Sequence, residues 1–545
     1  MSRSSDVEEE DLSSHSMRLA RPRELPVSMR RGTPVSALLR RFGVVFRCTP
    51  DSLPFEERSK LYDLSEPCER FDYFLSHSWR ANGTDKYASL TFRFLGRPAL
   101  FIGALGALLT AGLEAYLDFP FGHIGDIGAV IGSLSIRISL WPFVVGEALV
   151  WLTLIKGRHF HASHCFLDCT CIAQADEKLK LQSINMLSGY VAMSDSMIVL
   201  WDPTYFERLW CVYELAAITY FSPQAPIHIS PIRLATFVLM LHTVLIPLLL
   251  SSLAANALIP TNPQYAAYMS VARLMWRVPV FGLISRYGQR LRCSLLELLD
   301  HLRVFDARHA GCSIESDRAA ILRCIDHHML SGGLDELNSI VRTKLTELVN
   351  AALRGQQAML GYTHALFVAA PCGFAMLSMM HVFADPVICG VVADSSEEGF
   401  PITWMVIMTI VYINVVLFNI PLMFAFAMYL APERGPRWWG FDLVMHLAVG
   451  ALCAFVQSVL NELTFGLPTI LFSGDDVHRV NACRNAISYF ANLPLSTLCG
   501  SMSIRRHEVA LLWSVGFAAV LGGVTWVVYG PRRRQQLIYT EKRWQ

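Results

Sequence analysis

Long runs of uncharged apolar residues dominate the chain. Leu234 to Ala272 contains no Asp, Glu, Lys or Arg, and neither does Phe400 to Pro432. A bilayer core about 30 Å thick is crossed by about 20 apolar residues in a helix. Soluble helices are rarely apolar on every face over that length. Eight segments qualify as spans: 98–117, 138–155, 234–258, 265–285, 362–382, 402–430, 443–460 and 509–529. The fourth is the most polar, with Arg273, Arg277 and Pro279. Trp404, Trp438, Trp439 and Trp526 fall near span ends, the depth that amphipathic rings prefer.

Between the spans the period changes. Phe71 to Leu75 is a short aromatic run, followed by a polar loop and a helical pattern from Lys86 to Phe94. Ser163 to Asp168 repeats the pattern, with helical residues 177–190 behind it. Residues 196–200 make a third buried strand, followed by a loop at 202–205 and a helix over 207–219. Strands alternating with helices indicate a parallel, doubly wound sheet. Only 226–230 offers a fourth strand before the next span. Further on, Ser316 is placed to cap a helix carrying Ile321, Leu322, Ile325 and Met329. After Gly332-Gly333, a second stripe runs through Leu334, Leu337, Val341, Leu345 and Leu348. Together they predict a packed cytoplasmic helical hairpin.

Charge sets the orientation. Of 545 residues, 53% are hydrophobic and 17% charged, against about 25% charged in soluble chains. Arginines crowd the N-terminal region (Arg18, Arg21, Arg23, Arg30, Arg31, Arg40, Arg41, Arg47) and the tail (Arg532, Arg533, Arg534, Lys542, Arg543). Basic flanks stay cytoplasmic, so both termini are expected there, with an even number of spans. Arg434 and Arg437 agree; Arg505 and Arg506 oppose it. The acidic loop 385–400 belongs on the far side. A net charge of +1 without a basic domain gives no reason to expect a nucleic-acid partner; the partner the sequence requires is the lipid bilayer.

The organisation read from these patterns is a disordered tail (1–35), the first part of an α/β module (36–97), a transmembrane hairpin insert (98–157), the second part of the module (158–232), two spans (233–285), a cytoplasmic helical segment (286–361), four spans (362–529) and a basic tail (530–545). No metal site is expected. Cys165, Cys169 and Cys171 lack a second ligand pair at zinc spacing, and Cys324, His327 and His328 place only two ligands on one helix face.

The strand segments resemble a known family. Phe71-Asp-Tyr-Phe-Leu-Ser-His-Ser78 is similar to the opening box of Toll/interleukin-1 receptor (TIR) domains. Phe166-Leu-Asp168 matches the second strand. Ser196-Met-Ile-Val-Leu-Trp-Asp-Pro-Thr-Tyr205 followed by Arg208-Leu-Trp-Cys-Val-Tyr-Glu-Leu215 is similar to the Trp-Cys-x-x-Glu-Leu segment of plant-type members. The boxes cover about 85 residues in two pieces, in the family's order. The pattern also resembles uncharacterised multi-pass proteins of single-celled eukaryotes. Two departures stand out: the membrane hairpin interrupts the module, and the family's C-terminal part is short or missing.

The resemblance implies a flavodoxin-like module that self-associates or binds other TIR-type domains. It also implies NAD as a substrate, with no certain cofactor. In many such domains a carboxylate steadies an oxocarbenium-like ribose as neutral nicotinamide leaves. Glu214 stands at that position. Glu214 and Trp210 share a helix face; the bland alternative is a surface glutamate beside packing residues. Ser76, His77, Trp79 and Asp168 are the other ligand-crevice candidates, against solvated-loop and capping roles. Asp72 reads as a structural hydrogen-bond partner. Because the hairpin leaves at a helix C-terminus and returns at a strand N-terminus, that end should face the bilayer, and the crevice the cytosol. The third helix should then end near Thr219, close to the start of the third span. Within the spans, Glu147, Arg273 and Arg277 are the intramembrane polar candidates.

Three functions follow: a membrane-anchored signalling module acting through self-association, an NAD nucleosidase using Glu214, or a channel or transporter regulated by the module. No selectivity-filter sequence or inverted repeat supports the last.

Overall fold

The computed structural model describes residues 22, 24–114, 123–127, 136–258, 263–312, 315–325, 333–349, 361–384, 410, 413–432, 439–461 and 507–529, apart from single positions 48 and 348. The loop 385–400, expected on the far side, most of 402–412, the first 21 residues and the basic tail 530–545 lie outside them. Within this range the protein is mostly helical and holds a small mixed sheet.

The sheet is built from β1 (Arg31–Pro34), β2 (Glu66–Pro67), β3 (Phe71–His77), β6 (His164–Phe166), β7 (Ser194–Trp201) and β8 (Ile227–Pro231), in the order β2-β1-β6-β3-β7-β8. The last four run parallel, with Tyr73 opposite Cys165 and Ser196, and Met197 opposite Ile227. Numbered among themselves, they stand in the order 2-1-3-4. The other two pair antiparallel, β1 on the edge of β6 and β2 on β1.

The segment expected to be disordered to residue 35 therefore contributes a strand. Composition hides this, because β1 depends on partners far along the chain: the β6 edge, and Thr170, whose Oγ1 lies 2.6 Å from Thr33 Oγ1. Gly32 is required at that edge: a Cβ there would stand 2.9 Å from Cys68 Sγ and 3.0 Å from His164 Cβ. Leu25 and Met29 just before it are buried.

Side chains alternate across a strand, and here each face meets its own helical layer. Leu75, Ile198 and Leu200 join one core with Leu90 and Leu95 of α3 (Gly83–Glu114) and Val238 of α9 (Ile232–Leu258). Phe74, Met197 and Val199 join the other with Ile184 of α6 (Glu177–Asn185), Tyr190 of α7 (Leu187–Ala192) and Val212 of α8 (Leu209–Phe221).

The module's first helix and the first expected span are one continuous element. α3 has 32 residues, about 48 Å at 1.5 Å per residue. Pro98 lies inside it and leaves the Phe94 carbonyl without its helical donor. His161 Nε2 takes that place at 3.0 Å, so the helix passes the proline without ending. The chain returns through α4 (Trp141–Lys156). The helix expected as a second span starts at Trp141 rather than 138, because β5 (Ile136–Ser139) pairs with β4 (His123–Ile127) in a small ribbon.

The third span does not begin near Thr219. α8 ends at Phe221, and β8 carries the chain back to the crevice end before α9 starts. Thr236 Oγ1 donates to Asp85 Oδ1 at 2.7 Å, so α9 and α3 start side by side. Both run down one sheet face and beyond it.

Three helices among the described residues are long and apolar enough to cross a membrane: Gly83–Glu114, Ile232–Leu253 and Trp439–Leu460. Tyr362–Ser378, Asn414–Tyr429 and Val515–Trp526 are apolar but shorter. The polar fourth span lies within the 41-residue helix Pro263–Arg303. That helix continues into the expected cytoplasmic segment, so no break separates the two. Its Leu291, Leu295, Leu298 and Leu302 join Ile321, Leu337, Val341 and Leu345 against α8. The two stripes read as a helical hairpin thus form the outer cover of the sheet module. The Gly311 N–H donates to the Glu207 carbonyl at 2.8 Å and seals the contact.

A candidate crevice at the strand ends

The parallel strands end together at Ser76–His77 and Leu200–Trp201. In open sheets of this order, the gap between the first and third parallel strands, at their C-terminal ends, is where ligands bind. All six crevice candidates converge here, in two groups on opposite faces of β3.

Ser76 points to the α8 side. Its Oγ lies 2.5 Å from Glu214 Oε2 and 2.6 Å from the Tyr205 hydroxyl. One turn back on α8, the Trp210 indole N–H donates to Glu214 Oε1 at 2.6 Å. Glu214 is only 2% exposed, so it is not the surface glutamate of the bland reading. Burial, then the negative charge of Asp168, hold its carboxyl well above the ordinary carboxylate range. Both donors are neutral, so nothing offsets that shift with a full positive charge.

His77 points to the α3 side. It packs edge-on against Phe46 and Trp79, and neither ring nitrogen has a hydrogen-bond partner. Burial, then the charge of Lys86, push its imidazole well below the usual range. The Trp79 indole donates to Asp168 Oδ2 at 3.1 Å, and His77 Nε2 stands 3.9 Å from Asp168 Oδ1. Asp168 is raised by burial, against lowering by the Trp79 indole, the Cys169 amide and Lys86.

In the sequence, Lys86 marks only the start of a helix. It is fully buried, its ammonium lies 5.2 Å from the centre of the Trp79 ring, and it makes no hydrogen bond. The available signal was a lone lysine one turn into a helix that follows a strand's polar loop. Tyr205 was in view only as part of a box; its hydroxyl also reaches the Cys211 carbonyl at 3.4 Å. Asp72 does have a structural partner, accepting from the His164 amide at 2.7 Å.

Glu147 on α4 meets His242 on α9, Oε2 to Nε2 2.8 Å, with both side chains buried. Arg277 is half-buried beside Trp276, with Nη1 making no hydrogen bond. The Arg273 side chain lies outside the described residues. Among the described residues no three His, Cys, Asp or Glu side chains are grouped to hold a metal. Comparison with family models, curated proteins and solved structures returned no match.

Proposed function

We propose that this is a multi-pass membrane protein of about eight spans, with both termini cytoplasmic, that signals through self-association of a TIR-like, flavodoxin-like module. One observation carries the reading. The box residues Ser76, His77, Trp79, Asp168, Trp210 and Glu214 arrive from separate segments at one end of four parallel strands ordered 2-1-3-4. The buried, fully bonded Glu214 carboxylate favours a resting module over an open active site.

The same carboxylate supports a second reading, cleavage of NAD once assembly opens the crevice. The test is NAD hydrolysis by the purified full-length protein in nanodiscs, dilute and at high local density, beside Glu214→Ala. Density-dependent association without turnover supports the signalling module. Turnover that Glu214→Ala abolishes assigns an NAD nucleosidase. A protein monomeric at every density, and without turnover, refutes both.

A further inference from the structure

A cavity of about 360 Å³ lies away from the crevice, between the N-terminal turns and the end of α4. Its lining includes Arg40, Arg41, Lys156 and Arg158, with Phe42 and Ile155. No carboxylate lines it, and none of the four cations forms a salt bridge among the described residues. Four uncompensated positive charges around one concavity create a strong local attraction for anions.

The cavity's height along the helices is fixed by packing. A Cβ at Gly157 would meet Leu95 at 3.3 Å. The mouth is therefore level with the turn just before Pro98, where the apolar part of α3 begins. On the membrane side, α3 and α4 turn Phe101, Leu105, Leu108, Leu109 and Leu152 outward, each at least 45% exposed. Exposed Phe42 and Ile155 sit at the rim itself, 57% and 45% exposed. Cations above an apolar belt, with aromatic and aliphatic groups between, match the order of headgroup, interface and acyl chain.

The loop that presents the arginines is strained. Arg41 and Phe42 both have positive φ, 49° and 56°, and Gly43 follows at 67°. Non-glycine residues are disfavoured in this region and persist where the surroundings impose them. Here Tyr87 does so: its ring meets Phe42 edge-on at 5.9 Å, and its Cβ would stand 2.7 Å from a Cβ at Gly43. The backbone is thus held in the conformation that lines the cavity with Arg40 and Arg41.

We infer that this cavity binds the phosphate-bearing headgroup of an anionic phospholipid. The inference rests on the membrane reading of α3 and α4, and is independent of any TIR-like role.

The experiment is native mass spectrometry of the full-length protein in mild detergent, incubated with phosphatidylinositol bisphosphate, phosphatidylserine or phosphatidylcholine. Wild type should retain the anionic lipids preferentially. Since each cation near an anionic surface contributes about fivefold, R40Q/R41Q should lower that retention at least about tenfold and leave phosphatidylcholine unchanged. R40K/R41K should restore it, which excludes a folding defect. Equal retention by wild type and R40Q/R41Q overturns the inference. So does efficient displacement by inositol hexakisphosphate at concentrations equal to the lipid, which would assign a soluble phosphate ligand. Alkaline carbonate extraction separates the premises: release of wild type from membranes would refute the membrane reading itself.

Discussion

His242 donates from Nδ1 to the carbonyl of Phe367, 2.8 Å away, and that carbonyl is the one Pro371 leaves without a helical donor. The bond settles the imidazole's role. With Nδ1 carrying a hydrogen, the 2.8 Å contact from Nε2 to Glu147 Oε2 needs one proton shared between them. Glu147 and His242 are thus a single neutral unit, tied to a proline break in a third helix.

Breaking this unit should be costly. His242→Ala would leave both Glu147 and the Phe367 carbonyl without their partner in a dry site. Removing one member of a buried pair costs about 3–5 kcal/mol. Thermal unfolding in detergent should show a large loss for His242→Ala and for Glu147→Ala, with partial recovery in Glu147→Leu/His242→Leu. Unchanged melting of both single variants would mean that water reaches the pair.

Stability should fall in alkali because of Glu214. Its folded-state carboxyl is raised above the ordinary 4.5, so the unfolded chain releases the proton first as pH rises. The stability is complete below about pH 4.5 and is lost as pH rises through the folded value. Glu214→Gln keeps an acceptor for Trp210 and a donor for Ser76 but cannot ionise. It should unfold at higher temperature than wild type at pH 8, and the gain should vanish near pH 4.5. A gain of equal size at both pH values would point to packing instead.

His77 should dominate the acid side. Its imidazole is pushed well below 6.5, so the unfolded state takes up a proton that the folded state refuses. Stability is present above pH 6.5 and lost as pH falls below it. In His77→Phe the decline between pH 6.5 and 5 should be shallower than in wild type, measured by denaturant unfolding. Parallel curves would show that His77 is protonated in the folded protein.

Helix contact in the membrane half relies on missing side chains. A Cβ at Gly450 would stand 2.2 Å from the Val278 carbonyl oxygen, and one at Gly146 would stand 2.8 Å from Phe374. The Val278 carbonyl belongs to a helix backbone and cannot rotate away. Gly450→Ala should therefore separate Trp439–Asn461 from Pro263–Arg303 and cost about 1–3 kcal/mol. Gly516→Ala, which has open space around it, should be neutral. Equal melting temperatures for the two variants would contradict this packing.

Hydropathy and period are local, and the chain alone carried what they encode. The apolar runs at 98–117, 234–258 and 443–460 and the strands over 71–75 and 196–200 were legible within windows of a few turns. The pairing of residues far apart in the chain was not. Ser76 and Glu214 are 138 residues apart, Glu147 and His242 are 95, and no local pattern names either pair. The tertiary structure also decided what the sheet edge recruits: β1 has the composition of a tail and becomes a strand because β6 offers unpaired backbone. It carried α3 past Pro98, because His161 supplies the donor that the helix lacks. It turned the stripe of Leu337, Val341 and Leu345 into a cover for α8. Sequence sets which faces must leave water; only the folded chain decides which partners take them up, because burial does not choose among apolar surfaces and hydrogen bonds do.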